Sequence, residues 1–417
     1  MQKLPIENII TPKVAIFDNG VMLYQLGSAT TELLKIDFIF EAGSDMQPQP
    51  LCASAVNSLM VKATKTKSAQ QLSEILDYHG IVVEPNCDVM TSSLTFYMLR
   101  KYAAMMLPLI RDIIERPAFE DEDVAMLKKK RRQEIEVNAQ KSTAVARKLF
   151  YQTLFGKQHP LGVYAKPEDA DSLGREVIEC FHKEHYIGAE MTIVVSGMID
   201  DKLVQLIENE FGRGIEHSKH QHKMLQMPSG VPTVTRLHQD VISSQQTSLR
   251  VGRIIPIAWD DPEFAQMMLV NTLLGGYFGS RLMSNIREDK GFTYGIYSHL
   301  QLYRGGAVFS IVSDIMPGKA DAAILEIKKE IETLQNIPVD DAELSMVKSV
   351  MLGDFMRSID GVFEQSVRFC DMMINDVDER LSCNINEAIQ KTNAEHIIDI
   401  ARRLLRVEDL LFCTAGV

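Results

Sequence analysis

The feature that most restricts what this chain can fold into is that it runs through one order of elements twice. An extended apolar run, Leu34–Phe40, closes at Ala42-Gly43-Ser44-Asp45. The pattern then predicts helices over about 51–62 and 68–78 and strands over about 81–83 and 91–98. A long helix over about 103–116 stops at Pro117, and another starts after Phe119-Glu120-Asp121. The second half repeats this: a strand over about 247–251, helices over about 262–274 and 280–288, and strands over about 293–298 and 306–313. A long helix over about 320–334 ends before Pro338, and another starts after Val339-Asp340-Asp341. Pro117 and Pro338 stand 221 residues apart, and Gly80 and Gly291, each just before a strand, stand 211 apart. Two such coincidences in one element order argue for duplication. Each half reads as an α+β unit, a mainly antiparallel sheet with helices packed on one face.

A chain of 417 residues is too long for one ordinary core and suits two domains. The expected division is an N-terminal domain over 1–212, a linker over 213–231 and a C-terminal domain over 232–417. The linker segment is polar and short of apolar periodicity. Its His217, His220 and His222, with His238 beyond, have no carboxylate or cysteine at a fixed spacing to complete a metal site. The apolar share of 46%, the charged share of 24% and a mean hydropathy near zero are those of a soluble globular protein. A net charge of −12 argues against nucleic acid as a partner. The basic run Lys128-Lys129-Lys130-Arg131-Arg132 reads as a solvated or chamber-facing helix surface. The opening segment lacks the layout of a signal peptide, and no window is apolar enough for a transmembrane helix, so no membrane association is expected. The six cysteines, Cys52, Cys87, Cys180, Cys370, Cys383 and Cys413, form no C-x-x-C pair. They read as reduced thiols in a cytoplasmic protein.

Several local patterns carry less than they suggest. His182 and His185 are three apart but have no third ligand in reach by sequence. Gly275-Gly276-x-x-Gly279 lacks a following Lys-Ser/Thr and is not a phosphate loop. Ser54 and Ser58 have no companion histidine motif that would make either a nucleophile.

The segments Leu274-Gly275-Gly276-Tyr277-Phe278-Gly279-Ser280-Arg281-Leu282 and Ile286-Arg287-Glu288-Asp289-Lys290-Gly291-Phe292-Thr293-Tyr294 closely resemble the M16 (insulinase-like) metallopeptidase family. Lys62–Thr66 is similar to the stretch after that family's zinc helix, and Phe181–Gly197 to its end-of-domain strand. The resemblance covers essentially the whole chain. It implies a substrate-binding role for Arg287, Tyr294, Gly275 and Gly276. An arginine fork and a tyrosine hydroxyl are donors suited to a peptide's carbonyl oxygens. It also exposes a loss. Active members carry H-x-x-E-H on the first-half helix, and a later glutamate completes the zinc site. The positions that resemblance assigns to those residues are here Ser54, Asn57 and Ser58, while the later glutamate falls on Glu134. A serine hydroxyl is a poor zinc ligand, an asparagine is no general base, and one carboxylate does not hold zinc alone. No metal and no catalytic residue are therefore expected in this chain alone.

Short M16 members carry two such domains per chain, and a closed chamber needs four. The resemblance thus implies a non-catalytic, substrate-binding subunit of a heterodimeric peptidase. Its partner would bear H-x-x-E-H and the zinc, and its substrates would be peptides small enough to enter a clam-shell chamber. The alternative is a proteolytically silent interaction protein, a homodimer or complex component, that kept only the fold.

Overall fold

The computed structural model describes residues 9–28, 31–187, 191–214, 224–230 and 232–417, with the side chains of 379–383 left aside. In the first half the strands are β1 (Lys13–Ile16), β2 (Met22–Gly27), β3 (Leu33–Phe40), β4 (Val82–Cys87), β5 (Ser92–Leu99) and β6 (Met191–Gly197). The helices are α1 (Cys52–Met60), α2 (Ala69–Tyr78), α3 (Ala103–Glu115), α4 (Asp121–Asn138), α5 (Ser142–Phe155), α6 (Pro167–Ser172), α7 (Arg175–His182) and α8 (Asp201–Phe211). The second half has strands β7 (Arg236–Asp240), β8 (Thr247–Ile255), β9 (Thr293–Tyr303), β10 (Gly306–Ile315) and β11 (Leu411–Gly416). Its helices are α9 (Phe264–Asn271), α10 (Ala320–Asn336), α11 (Asp341–Ser358), α12 (Val362–Ile374), α13 (Glu379–Lys391) and α14 (Ala394–Leu404).

Among the described residues the two sheets run β1-β2-β6-β3-β5-β4 and β7-β11-β8-β10-β9. Apart from β1 the orders correspond strand for strand. Directions correspond too, with one parallel pair in each, β2 with β6 and β7 with β11, and antiparallel pairing elsewhere. The landmarks of the duplication fall where they should. Pro117 lies between α3 and α4, and Pro338 between α10 and α11. Gly80 and Gly291 take φ of 63° and 65°, the left-handed conformation that ends a helix cheaply only for glycine. The chain returns to the helix through Ile81 N–H to Leu76 O in one half and Phe292 N–H to Ile286 O in the other.

Alternation on the strands builds each core. Leu34, Ile36, Phe38 and Phe40 on β3 join Leu94, Phe96 and Met98 on β5 beneath α1, α3 and α7. Leu249 and Val251 on β8 join Phe309 and Ile311 on β10 beneath α9, α10 and α14.

The compact units are not the two halves of the chain. One unit comprises 1–135, 165–222 and 358–371, and the other 136–164, 223–357 and 372–417. The boundaries 1–212 and 232–417 therefore describe the repeat and not the compact bodies. The segment with α5 belongs to the second unit, and most of α12 to the first. Both lie on the sheet face opposite the main helical layer, so helices cover more than the one face expected. Their partners give the reason. On the first sheet Lys35 and Asp37 form a buried ion pair at 2.6 Å, and Thr95 Oγ1 donates to Asp37 at 2.7 Å. Ser366 of α12 lies 3.4 Å from Lys35 Nζ, and Phe369 packs on Tyr24 with ring centres 4.9 Å apart. On the second sheet Val145 and Ala146 of α5 cluster with Ala415 and Val241. The end of the expected linker is tied down: Leu225 is buried and its N–H donates to Arg304 O, while Gln226 O meets His159 Nε2 at 3.1 Å. His217, His220 and His222 lie outside the described residues.

Candidate functional site

Two regions answer to the expected site residues, one in each unit. In the first, α1 starts after Leu51, whose φ is 75°, and buries Cys52, Ala53, Ala55, Val56, Asn57, Leu59 and Met60. Two of the three polar side chains of the stripe donate to nearby backbone, while the buried Asn57 Oδ1 has no hydrogen-bond partner among the described residues. Ser54 Oγ donates to Leu51 O at 3.1 Å. Asn57 is 1% exposed, and its amide nitrogen donates to Asn86 O at 2.6 Å and Ser93 O at 3.3 Å, which staples α1 to the β4–β5 hairpin. Ser58 is partly buried. Glu134, on α4, is held by Arg131 at 2.9 Å and Lys130 at 3.9 Å. These donors do not fit zinc: two hydroxyls, an amide turned donor-first into backbone carbonyls, and one carboxylate shared between two cations. Among the described residues no three His, Cys, Asp or Glu side chains converge as a metal would need.

The other candidate ligands are packing residues. His182 Nε2 donates to Ile114 O at 2.7 Å, with the ring stacked on Tyr186 and edge-on to Phe119. Burial lowers its pKa to about 4, which keeps it neutral. His185 packs on Phe181 with ring centres 4.4 Å apart. His238 on β7 meets Thr414 Oγ1 at 2.8 Å and Asp240 at 3.1 Å. Cys52, Cys87, Cys180, Cys370 and Cys413 are free thiols, and burial pushes Cys52 and Cys413 up to about 12.

The second region is built for exposure. After α9 the chain tightens into a π-helical turn, Thr272–Gly276. Gly275 sits against β9 so closely that a Cβ there would lie 2.6 Å from Ser298 N and 2.8 Å from its Oγ. Gly276 is exposed. A second π-helical segment, Met283–Asp289, carries Arg287. Its start is anchored by Arg281, whose fork grips both oxygens of Glu343 on α11 at 2.7 and 2.6 Å. The Arg287 guanidinium lies 4.5 Å above the ring of Phe278, with Glu288 at 3.6 Å. Stacking occupies the flat face of the guanidinium and leaves its in-plane N–H donors available.

Tyr294 is placed by a β-bulge on the edge strand. Thr293 pairs with Ile315 and Ile296 with Ser313, so Tyr294 and Gly295 together oppose Asp314. Without the bulge, Tyr294 and Ile296 would share a face, and Ile296 is fully buried. With it, Tyr294 is 90% exposed. The bulge is locked: Thr293 Oγ1 donates to Asp314 O at 2.7 Å and accepts from Gly295 N–H at 3.1 Å, and Ser313 Oγ donates to Gly295 O at 2.8 Å. The sequence reading missed both this bulge and Phe278. An isolated glycine inside a strand, as in Tyr294-Gly295-Ile296, is the signal that finds the former.

Comparison with known proteins gives the family and the fold. Residues 28–166 match the family described as Insulinase (Peptidase family M16), and residues 172–351 match Peptidase M16 inactive domain. An uncharacterized zinc protease of Bacillus subtilis, YmxG, is 22% identical over 392 residues, covering 93% of this chain and 94% of its own. A peptidase M16 inactive domain structure from Pseudomonas fluorescens superposes with a TM-score of 0.85 at 19% identity, covering 98% of each chain. A protease from Helicobacter pylori gives 0.88 at 16% identity, covering 98% of this chain and all of that one. By its match to both family models, this chain belongs to the M16 peptidase family.

Proposed function

We propose that this chain is the non-catalytic, substrate-binding subunit of a two-chain M16 peptidase that acts on peptides in the cytoplasm. The observation that carries the reading is the contrast between the two regions. The stripe Ser54, Asn57 and Ser58 offers no donor set for zinc and no base, while Arg287 and Tyr294 present hydrogen-bond donors from a locked, exposed frame. The relatives' description as zinc proteases supports a peptide as substrate. In this reading Arg287, steadied on Phe278, and the Tyr294 hydroxyl donate to backbone carbonyl oxygens of an extended peptide. They thereby favour negative charge developing on the carbonyl under attack. Zinc and general base come from a partner chain bearing H-x-x-E-H.

The test is to mix this chain with such a chain from the same genome. Activity should appear that neither has alone. Arg287→Ala and Tyr294→Phe should each lower turnover by about 10²–10³-fold while the complex still forms. A partner fully active alone, or mixed activity indifferent to both substitutions, would replace this reading by that of a silent interaction protein.

A further inference from the structure

The exposed half of the second sheet carries a cluster that the Arg287–Tyr294 site does not use. Arg250 is central on β8, paired across the sheet with Cys413 on β11 and Val312 on β10. It lies on the face away from the core, since its neighbours Leu249 and Val251 point into the core. Helix α5 covers β8 and β11 on that face. On the far side of Arg250, Tyr297 and His299 of β9 stay exposed. Arg147 and Tyr151 of α5, Tyr164 and His299 are all close enough to feel the charge of the Arg250 guanidinium. Arg147 lies 5.9 Å over the Tyr151 ring, and the Tyr164 hydroxyl donates to Arg147 O at 3.4 Å.

The charges are unbalanced. Among the described residues the Arg250 side chain makes no hydrogen bond or ion pair, although it is partly buried. Burial and the repulsion of Arg147 lower its pKa, while Tyr151, Tyr164 and Asp314 act the other way. Asp314 is the one carboxylate in this group, and it already accepts from Ser248 Oγ. A partly desolvated guanidinium without its counter-charge is costly, and in a chain of net charge −12 acidic partners were not scarce.

We propose that Arg250, with Arg147, Tyr151, Tyr164 and His299 around it, is a binding site for a carboxylate of the peptide substrate. Two arginine forks and the Tyr151 hydroxyl are the donor set a planar carboxylate takes, with the Tyr164 hydroxyl, which donates to Arg147 O, beside them. This rests on the peptide-binding half of the reading above and deepens it. His299 lies five residues beyond Tyr294 on β9. At about 3.3 Å per residue, a peptide lying along that strand places its carboxylate roughly 17 Å from the carbonyl held by Tyr294. The carboxylate is either an acidic side chain or the peptide's C-terminus.

Fluorescence anisotropy on the full chain alone separates these sources. The probes are three dye-labelled alanine–serine peptides of about ten residues. One has two glutamates and an amidated C-terminus, one has glutamines and an amidated C-terminus, and one has glutamines and a free C-terminus. At low salt the first or third should bind about tenfold more tightly than the second, and which of them does identifies the source. Added salt should erase the preference. Arg250→Gln should abolish it, as should Arg147→Gln, which changes an exposed residue and serves if the first variant does not fold. Equal binding of all three peptides, no binding, or a preference untouched in the folded variants would overturn the proposal. Because the readout needs no partner and no turnover, a preference that survives failure of the mixed-chain assay discards the catalytic reading alone.

Discussion

The two units share strand order, strand direction and even the left-handed glycine before the edge strand, yet they differ most at the places where chemistry would sit. In the first, the helix before Gly80 is the regular α2, and α1 is stapled into the β4–β5 hairpin through Asn57. In the second, the segment before Gly291 is π-helical, and the edge strand opens with a bulge that turns Tyr294 outward. π-Turns and bulges cost regular hydrogen bonding and recur at functional sites. The comparison teaches that a duplicated fold diverges in its irregularities before it diverges in its core. In the second unit those irregularities lie beside Arg287 and Tyr294.

The same contrast runs through the buried faces, and the largest predicted effect lies there. Asp37 and Arg250 hold equivalent positions, each paired with the residue three before the glycine that ends β6 or β11, Gly197 or Gly416. Asp37 has a buried partner and Arg250 does not. Asp37→Ala, which strands the buried Lys35 ammonium, should cost about 3–5 kcal/mol in denaturant unfolding. Lys35→Met with Asp37→Leu should recover most of that, and Arg250→Met should cost under about 1 kcal/mol. Equal losses at Asp37 and Arg250 would erase the distinction.

A smaller effect is pH-dependent and confined to the first unit. The folded-state pKa of His182 is lowered to about 4 from an ordinary 6.5, so the unfolded chain binds the extra proton in between. Its contribution is complete above about pH 6.5 and is lost as pH falls toward 4, amounting to no more than about 3 kcal/mol. Chemical unfolding across that range should show a shallower pH slope in His182→Gln than in the parent. An unchanged slope would mean that the ring is not held neutral.

Smaller again is the staple. Asn57→Ala leaves Asn86 O and Ser93 O without their donor and should cost about 1–3 kcal/mol, read as a shifted denaturant midpoint. Gly275→Ala, the counterpart test in the second unit, should cost a similar amount by pushing the π-turn off Ser298. It should also weaken peptide binding, which Asn57→Ala should not.

Much of this was legible because the chain is punctuated. Pro117, Pro338, Gly80 and Gly291 mark ends that single residues enforce, and β3, β5, β8, β9 and β10 follow from the extended runs between such marks, whereas β1, β2 and β11 were not read. The crossing of α5 and α12 was not legible. Lys35 and Asp37 on β3 are buried, and what packs by them, Ser366 at Lys35 and Phe369 on Tyr24, comes from over 300 residues away. Strand β7 is largely exposed and offers no alternation to read. At the site, Arg287 and Tyr294 were visible in their motif. What holds them, the Phe278 ring and the Thr293–Ser313 lock, arises from contacts that a glycine-rich turn and a short strand do not advertise.

The central claim, that this chain has given up the metal and kept the grip on the peptide, is tested most directly by zinc stoichiometry of the mixed complex. After removal of loose metal, elemental analysis should find one zinc per pair of chains and none in this chain alone, with Glu134→Ala changing neither value. Two zincs per pair, or about one in the isolated chain that Glu134→Ala removes, would contradict it.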